Sequence, residues 1–308
     1  MQTPTRSREW IGHLMVLGTI LIYSFNTNFM KMLMPTWIGP EGLVVARCAF
    51  STLGFWIIGL FIHPPKETKA DRKDILMIML GGVLGMGGNL LVYIKGLSMT
   101  GPVDAFVIRT VQPIIVMALG IIFLHAVFNR YKAFGIILGL AGTLYVSLMP
   151  HQGPVKDSFS GDILIFVSAI FNALFLVLIK PYTQKFNGFF VMKWMSLAAL
   201  LISLPFGLKQ LINAPIFNGH AELHVWLELF YVFVFATMIG YFLNVRALNY
   251  ISPFVESAYY YLLPVTGATV SILFGLQKFS WHDPIALALI IIGFILINKK
   301  IKTTPVPK

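Results

Sequence analysis

Four polar side chains within apolar stretches are the first candidates for chemistry. Arg47, Arg109, Asn26 and Asn89 all lie inside strongly hydrophobic segments, where charged and amide groups are costly and are therefore functional candidates. At a rise of about 1.5 Å per helical residue, all four reach the same outer third of their segments. An arginine fork grips carboxylates in bidentate fashion and keeps its charge. The pattern predicts a basic, amide-lined site for a carboxylate or another anionic group.

Two other interpretations of the arginines stay open. Either side chain could extend along the apolar surface to place its charge near lipid headgroups. Arg47 could instead pair with Glu41, and Arg109 with Asp104. Arg109 is the deeper of the two, which favours a functional role for it.

Further polar residues extend this candidate site. Gln112 stands three positions after Arg109 and just before Pro113, which removes a helical hydrogen bond and can kink the helix or act as a hinge. Pro264 is a second candidate hinge. Tyr93 follows Gly81, Gly85 and Asn89 at intervals of four in a stretch that contains GGVLGMGGN, and small residues let membrane helices approach closely. This face is expected to point inward, either as static packing or as the lining of a pathway.

One acidic residue lies clearly within the ninth apolar segment. Glu256 could carry a proton, although its position near the segment boundary favours an ordinary interfacial acid. Tyr259 and Tyr260 follow it and could line a binding site with ring and hydroxyl. His220 and His224 have no apparent third ligand, so we expect no metal site. No nucleotide-binding or nucleophile motif occurs, and we expect no cofactor and no enzymatic activity.

The segments that carry these residues are the length of membrane-spanning helices. The 308-residue chain is 57% hydrophobic and only 11% charged, with a mean hydropathy of +0.80. Its apolar residues form ten blocks of about 15 to 22 residues, close to the length that spans a bilayer. In lipid each block must be helical because unpaired backbone groups are costly there. The blocks cover residues 11–30, 42–62, 75–94, 103–124, 133–149, 163–179, 188–208, 225–245, 254–274 and 284–298.

The basic residues set the expected orientation of these helices. With the N-terminus inside, the inner loops and termini hold 15 Lys and Arg residues and the outer loops hold 5. Cytoplasmic loops are enriched in Lys and Arg, so both termini are expected in the cytoplasm of a multi-pass cell-membrane protein. The net charge of +11 is spread over these loops, which favours the lipid bilayer and not nucleic acid as the partner.

The chain also repeats itself at an offset of 151 residues. Helix-central prolines, a loop proline and late glycines coincide, as do the starts of the first and sixth blocks: Leu97/Leu248, Pro102/Pro253, Pro113/Pro264, Phe123/Phe274, Phe128/Phe279 and Gly142/Gly293. We predict an all-α membrane fold of two five-helix repeats, residues 1–150 and 151–308, the second ending in a short cytoplasmic tail. Since five is odd, the halves would enter the membrane from opposite sides. Such inverted repeats are typical of secondary transporters, which bind their substrate at the repeat interface.

Two stretches resemble a known family. FVIRTVQPIIVMALGIIFLHAVFNRYKAFGIILGLAGTLYV and YYYLLPVTGATVSILFGLQKFSWHDPIALALIIIGFILI are similar to parts of EamA domains in the drug/metabolite transporter superfamily. The shared points are Pro113, Pro264, Gly96, Ala247, Gly142 and Gly293. The resemblance implies ten helices, the bacterial inner membrane and transport, often outward, of small metabolites such as amino acids.

These expectations favour a secondary transporter or facilitator that works by alternating access. The alternatives are an intramembrane enzyme, which would need a nucleophile with its base, and a receptor, which would normally carry a soluble output domain. The sequence leaves the substrate, the direction, a possible coupling proton and the oligomeric state open.

Overall fold

The computed structural model describes residues 8–61, 70–100, 105, 108–124, 130–147, 158–273 and 282–297. All regular structure in these ranges is helical, as the composition predicts. The α-helices are α1 (Glu9–Leu33), α2 (Pro40–Phe61), α3 (Arg72–Gly82), α4 (Gly88–Met99), α5 (Gln112–Leu124), α6 (Arg130–Ser147), α7 (Phe159–Lys185), α8 (Gly188–Ile212), α9 (Leu223–Tyr231), α10 (Tyr241–Ala247), α11 (Pro253–Ala258), α12 (Leu263–Leu273) and α13 (His282–Ile297).

Helical structure overlaps all ten of the apolar blocks, and six helical stretches meet the length and composition needed to cross a bilayer. These six are Glu9–Leu33, Pro40–Phe61, Arg72–Met99, Phe159–Lys185, Gly188–Asn218 and Leu223–Ala247. α5 is apolar but shorter. The protein is therefore a multi-pass membrane protein, while the count of ten spans stays a prediction.

Two π-helical segments interrupt the long helices. Val83–Gly87 joins α3 to α4, and Val232–Gly240 joins α9 to α10. Their centres lie about 151 residues apart, in the third and eighth apolar blocks. π-helical turns widen a helix locally and occur frequently at functional sites. Each one is followed at once by the short helix, α4 or α10, that carries polar residues inward.

Helix irregularity also precedes both candidate hinge prolines. Thr110 and Val111 form a turn directly before α5, of which Pro113 is the second residue. A 3₁₀ segment, Tyr259–Leu262, directly precedes α12, of which Pro264 is the second residue. The first residues of α5 and α12 are 151 positions apart. A hinge function of the two prolines stays a prediction.

The helix pairings relate the first half of the chain to the second. α2 packs along α8, and α6 packs along α13. α7 packs on α4 and α5, and in the same way α1 packs on α10 and α12. Each of these contacts joins a helix of residues 1–150 to one of residues 151–308, so the interior is built between the halves.

Small residues permit the closest of these approaches. A methyl group on Gly135 of α6 would lie 2.6 Å from the carbonyl oxygen of Gly293 in α13, and one on Gly293 would lie 2.7 Å from that of Gly135. On the face predicted to point inward, Gly81 is buried against Ile179 and Gly85 against Phe175, both of α7. In the structure the first part of this face, at Gly81 and Gly85, packs against α7. Its last residue, Tyr93, lines a cavity.

Two lysines cap helix ends at corresponding places. Lys31 Nζ donates to the carbonyl oxygens of Leu97 at 2.6 Å and Thr100 at 2.8 Å, at the end of α4. Lys180 Nζ donates to the carbonyl oxygens of Leu248 and Ile251, just after α10. Each pair of acceptors is 151 residues apart. A cation that satisfies the final carbonyls of a helix also opposes the negative end of its dipole.

Candidate functional site

The predicted polar residues meet at a cavity inside the helix bundle. About 440 Å³ of empty space lies there when the space open to solvent is included. α1, α2, α4, α7, α10 and α12 all contribute, together with the chain before α5 and the 3₁₀ segment. The lining residues are Tyr23, Asn26, Thr27, Arg47, Asn89, Leu90, Tyr93, Arg109, Asn172, Tyr241, Tyr260 and Leu263.

Six of the eight predicted substrate-binding residues line this cavity: Asn26, Arg47, Asn89, Tyr93, Arg109 and Tyr260. Gln112 lies next to it, since its Nε2 donates to Oδ1 of the lining residue Asn172 at 3.3 Å. Tyr259 does not line the cavity. Its hydroxyl lies 2.8 Å from Nδ1 of His13 in α1, because neighbouring side chains on a helical segment point in different directions.

Arg109 is held by aromatic rings. Its guanidinium carbon lies 4.6 Å from the ring centre of Tyr93 and 5.3 Å from that of Tyr260. The residue is 8% exposed, and its Nε has no hydrogen-bond partner among the residues that the structure describes. Among the described residues no carboxylate forms an ion pair with it, and Asp104, the partner considered from the sequence, lies outside the described residues. Extension to the headgroups is wrong for this side chain because it is enclosed by protein.

Arg47 is buried more completely, at 1% exposure. Its Nε donates to the Thr237 hydroxyl at 2.8 Å, and its Nη1 lies 2.9 Å from the Met30 sulfur. The alternative pairing with Glu41 is wrong, since that carboxylate pairs with Lys95 at 2.8 Å and accepts from Gln210 at 2.6 Å. Burial also excludes the headgroup interpretation here. A thioether and a hydroxyl leave the charge without an ionic partner in the described part of the chain.

The amides around the arginines keep hydrogen-bonding capacity unused. Asn89 Nδ2 donates to the Ser168 carbonyl at 2.7 Å, which ties α4 to α7. Asn26 Nδ2 faces only the Met30 sulfur, at 3.8 Å. The oxygens Asn26 Oδ1 and Gln112 Oε1 are buried, and no described residue donates a hydrogen bond to them. Buried polar atoms are nearly always satisfied in folded proteins, so these atoms are suited to a bound molecule or water.

The sequence interpretation missed four polar lining residues. Tyr23 and Thr27 lie one helical turn apart on α1, next to Asn26, and this spacing was a usable signal. Asn172 is the only Asn or Gln in the apolar block 163–179 and was detectable in the same way as Asn26. Tyr241 follows the second π-helix, and no local pattern points to it.

Glu256 lies behind the cavity in α11. It is completely buried and accepts a 2.6 Å hydrogen bond from Asn244 Nδ2. The expectation of an interfacial acid is wrong, because α11 packs against α5 and α7 and encloses the carboxyl. Within the described ranges, neither its Oε2 nor Oδ1 of Asn244 has a hydrogen-bond partner.

A bundle of apolar helices around a polar, arginine-containing cavity is the architecture of a membrane transporter. The sequence profile of the EamA-like transporter family matches residues 10–148 and 159–299. The chain therefore belongs to the EamA-like transporter family. Transport proteins of this kind need no catalytic group, so the family supports a non-enzymatic function.

Named relatives and a solved structure agree with this assignment. The uncharacterized transporter YyaM of Bacillus subtilis (strain 168) is 22% identical over 296 residues, 94% of each chain. The uncharacterized transporter YetK of the same strain is 21% identical over 233 residues, 74% of this chain and 70% of that one. A solved crystal structure with a TM-score of 0.73 and 16% identity covers 93% of this chain and 96% of that one, so the fold is shared.

Proposed function

We propose that this protein is a secondary transporter or facilitator, working outward, for a small polar or amphipathic metabolite that carries a carboxylate, such as an amino acid. The observation that carries the proposal is the pair of buried arginines at one cavity. Neither has a carboxylate partner among the described residues. Leaving a buried charge unpaired costs several kcal/mol, and an anionic substrate would remove this cost on binding.

The lining suggests a division of labour in substrate binding. Arg109 binds the negative group, because its Nε has an unused hydrogen bond among the described residues and its guanidinium lies near the rings of Tyr93 and Tyr260. Arg47 assists as a second positive charge, with its own hydrogen bonds already formed. Asn26 and Asn89 border the same space, and Gln112 adjoins it through Asn172; they would orient the rest of the molecule.

The architecture supports alternating access between two halves. We propose ten spans arranged as inverted five-helix repeats, residues 1–150 and 151–308, with both termini in the cytoplasm and the protein in the bacterial inner membrane. The reciprocal packing of α7 on α4 and of α1 on α10 supports the repeat, and the 15-to-5 distribution of basic residues supports the orientation. The outward direction rests on the resemblance to EamA transporters.

Ligand pairs that differ only in charge test the proposal. Acetate against acetamide, benzoate against benzamide, and α-amino acids against their amides would be screened by thermal unfolding of the purified protein. A ligand at 100 times its Kd stabilises the folded state by about 2.7 kcal/mol. We expect at least one carboxylate to raise the unfolding temperature while its amide does not, and the same carboxylate to drive flux in proteoliposomes.

The matched variants are Arg109→Gln and Lys209→Gln. Lys209 is an exposed residue of α8, so its replacement removes one positive charge at a distance from the cavity. Carboxylate stabilisation should be lost in the first variant and retained in the second. The proposed carboxylate site is contradicted if an acid and its amide stabilise the protein equally. It is also contradicted if a carboxylate stabilises both variants equally.

A further inference from the structure

Glu256 and Asn244 share one hydrogen bond, and each leaves one buried acceptor unused. Asn244 Nδ2 donates to Glu256 Oε1 at 2.6 Å. The remaining oxygen of each planar group, Glu256 Oε2 and Asn244 Oδ1, is buried without a partner. If Glu256 is ionised, both of these atoms are acceptors and neither can satisfy the other. A proton on Oε2 converts the carboxylate into a donor for Asn244 Oδ1, and both orphan acceptors are then satisfied.

The positive charge that acts on the Glu256 carboxyl belongs to Arg109 of the cavity. Arg109 interacts electrostatically with the Glu256 carboxyl, and Tyr260, four residues after Glu256, lies 5.3 Å from the Arg109 guanidinium. Tyr260 and Tyr23 are the other titratable groups that interact with this carboxyl. Arg109 is thus a cation whose charge acts on Glu256 at a distance, although the described residues show no ion pair between the two side chains.

The other cations near α11 have separate partners. Lys180 binds backbone carbonyls at Leu248 and Ile251, before α11. Lys132 lies 5.3 Å from the ring centre of Phe254. The adjoining helix α5 contains no titratable residue. The protonation of Glu256 is therefore governed first by its burial, then by the hydrogen bond from Asn244 and by the charge of Arg109.

We infer that Glu256 takes up one proton from water when an anionic substrate binds at Arg109, so that anion and proton are carried together. This inference rests on the proposed function. A bound carboxylate neutralises Arg109, and the ionised Glu256 loses its compensating charge. An O–H bond of a hydronium ion breaks, an O–H bond forms at Oε2, and water is released. The new Oε2 hydroxyl then donates a hydrogen bond to Asn244 Oδ1. Coupling is reciprocal, so a protonated Glu256 also strengthens anion binding.

A first experiment needs no ligand. Infrared spectra of the purified protein across a pH series would follow the C=O stretch of protonated carboxyl groups, with Glu256→Gln assigning the band and Glu228→Gln removing that of the other buried glutamate. Arg109→Gln imitates neutralisation by a bound anion. We expect the Glu256 band to persist to a pH about one to three units higher than in the wild type, with Arg109→Lys close to the wild type. An unchanged midpoint in Arg109→Gln overturns the inference.

A second experiment counts protons directly. Sodium benzoate and benzamide would be added to the protein in weakly buffered detergent solution while a pH indicator is followed. At a pH above the infrared midpoint of wild-type Glu256, where this carboxyl is ionised before the ligand is added, we expect uptake of about one proton per bound benzoate and none with benzamide. Glu256→Gln should bind benzoate without taking up a proton, and uptake that persists in this variant overturns the inference.

The two experiments separate the two proposals. Should no carboxylate stabilise the protein, the proposed function fails, while the infrared midpoint still decides whether Arg109 controls Glu256. Should carboxylates bind without proton uptake, the carboxylate site survives and the coupling is wrong.

Discussion

The two halves of the molecule share features of the backbone but differ in the side chains at and behind the cavity. Positions 151 residues apart pair Arg109 with Tyr260, Tyr93 with Asn244, and Ala105 with Glu256. The first half therefore provides the cation, and the second half provides the buried acid and its amide. Tyr260 even contacts Arg109, so two corresponding residues meet in the cavity.

By contrast, the features that shape the backbone occur twice. Each half has a π-helical interruption, a short helix that enters the cavity, a lysine that caps the end of this helix and a proline just after a helix break. These features position a segment of backbone independently of the side chains that the segment carries. The two halves therefore share these features of the backbone, while the polar side chains at corresponding positions differ.

The largest expected effect is at Arg109. Arg109→Gln removes a charge-assisted hydrogen bond worth about 1.5 to 3 kcal/mol, so carboxylate transport in proteoliposomes should fall by roughly 10- to 150-fold. Arg109→Lys keeps the charge but loses the bidentate fork and should give an intermediate rate. Membrane levels of each variant must be measured, because a buried arginine can also affect folding.

The corresponding position in the second half sharpens this test. Tyr260→Phe keeps the ring over Arg109 and should retain most of the transport rate. If Arg109→Gln transports at the wild-type rate with normal membrane levels, the arginine is structural and the functional asymmetry of the halves disappears.

An intermediate effect is expected at the paired lysine caps. Lys31→Gln and Lys180→Gln each lose two hydrogen bonds from a cation to carbonyls at a helix end, so each should destabilise the protein by about 1 to 2 kcal/mol. Thermal unfolding in detergent would measure this, with Lys209→Gln as the control. Since the two caps are equivalent, the losses should be similar. A loss at only one of them would show that the scaffold is less symmetric than the contacts indicate.

The sequence predicted the features that depend on composition and spacing. The apolar blocks identified the helices, because a chain in lipid has few alternatives to a helix. Charged and amide side chains are rare in apolar segments, so four of them were conspicuous in the sequence. These four, Arg47, Arg109, Asn26 and Asn89, all line the cavity.

The sequence did not predict which side chain of a helix faces the cavity, nor the contacts between residues that are distant in sequence. Tyr259 and Tyr260 are adjacent, and only the 3₁₀ geometry decides which of them faces the cavity. Glu256 lies near the end of its apolar block, so depth along one helix suggested an interface, whereas burial by α5 and α7 comes from elsewhere in the chain. The partners of Glu41, namely Lys95 and Gln210, are likewise distant in sequence and could not be read from local pattern.

The smallest expected effect tests whether Tyr93 contributes its ring or its hydroxyl. Its ring centre lies 4.6 Å from the Arg109 guanidinium, whereas its hydroxyl has only a long contact of 3.4 Å to the Thr27 hydroxyl. A cation–π contact is worth about 0.5 to 2 kcal/mol. Tyr93→Phe should therefore keep carboxylate affinity within about twofold, and Tyr93→Leu should weaken it by roughly 2- to 30-fold. Asn244, at the corresponding position of the second half, has no ring and donates to Glu256 instead. Asn244→Leu should leave the ring contact intact, so any loss of affinity there should come with a change in proton uptake. Equal losses in Tyr93→Phe and Tyr93→Leu would assign the role to the hydroxyl and would remove the aromatic support proposed for Arg109.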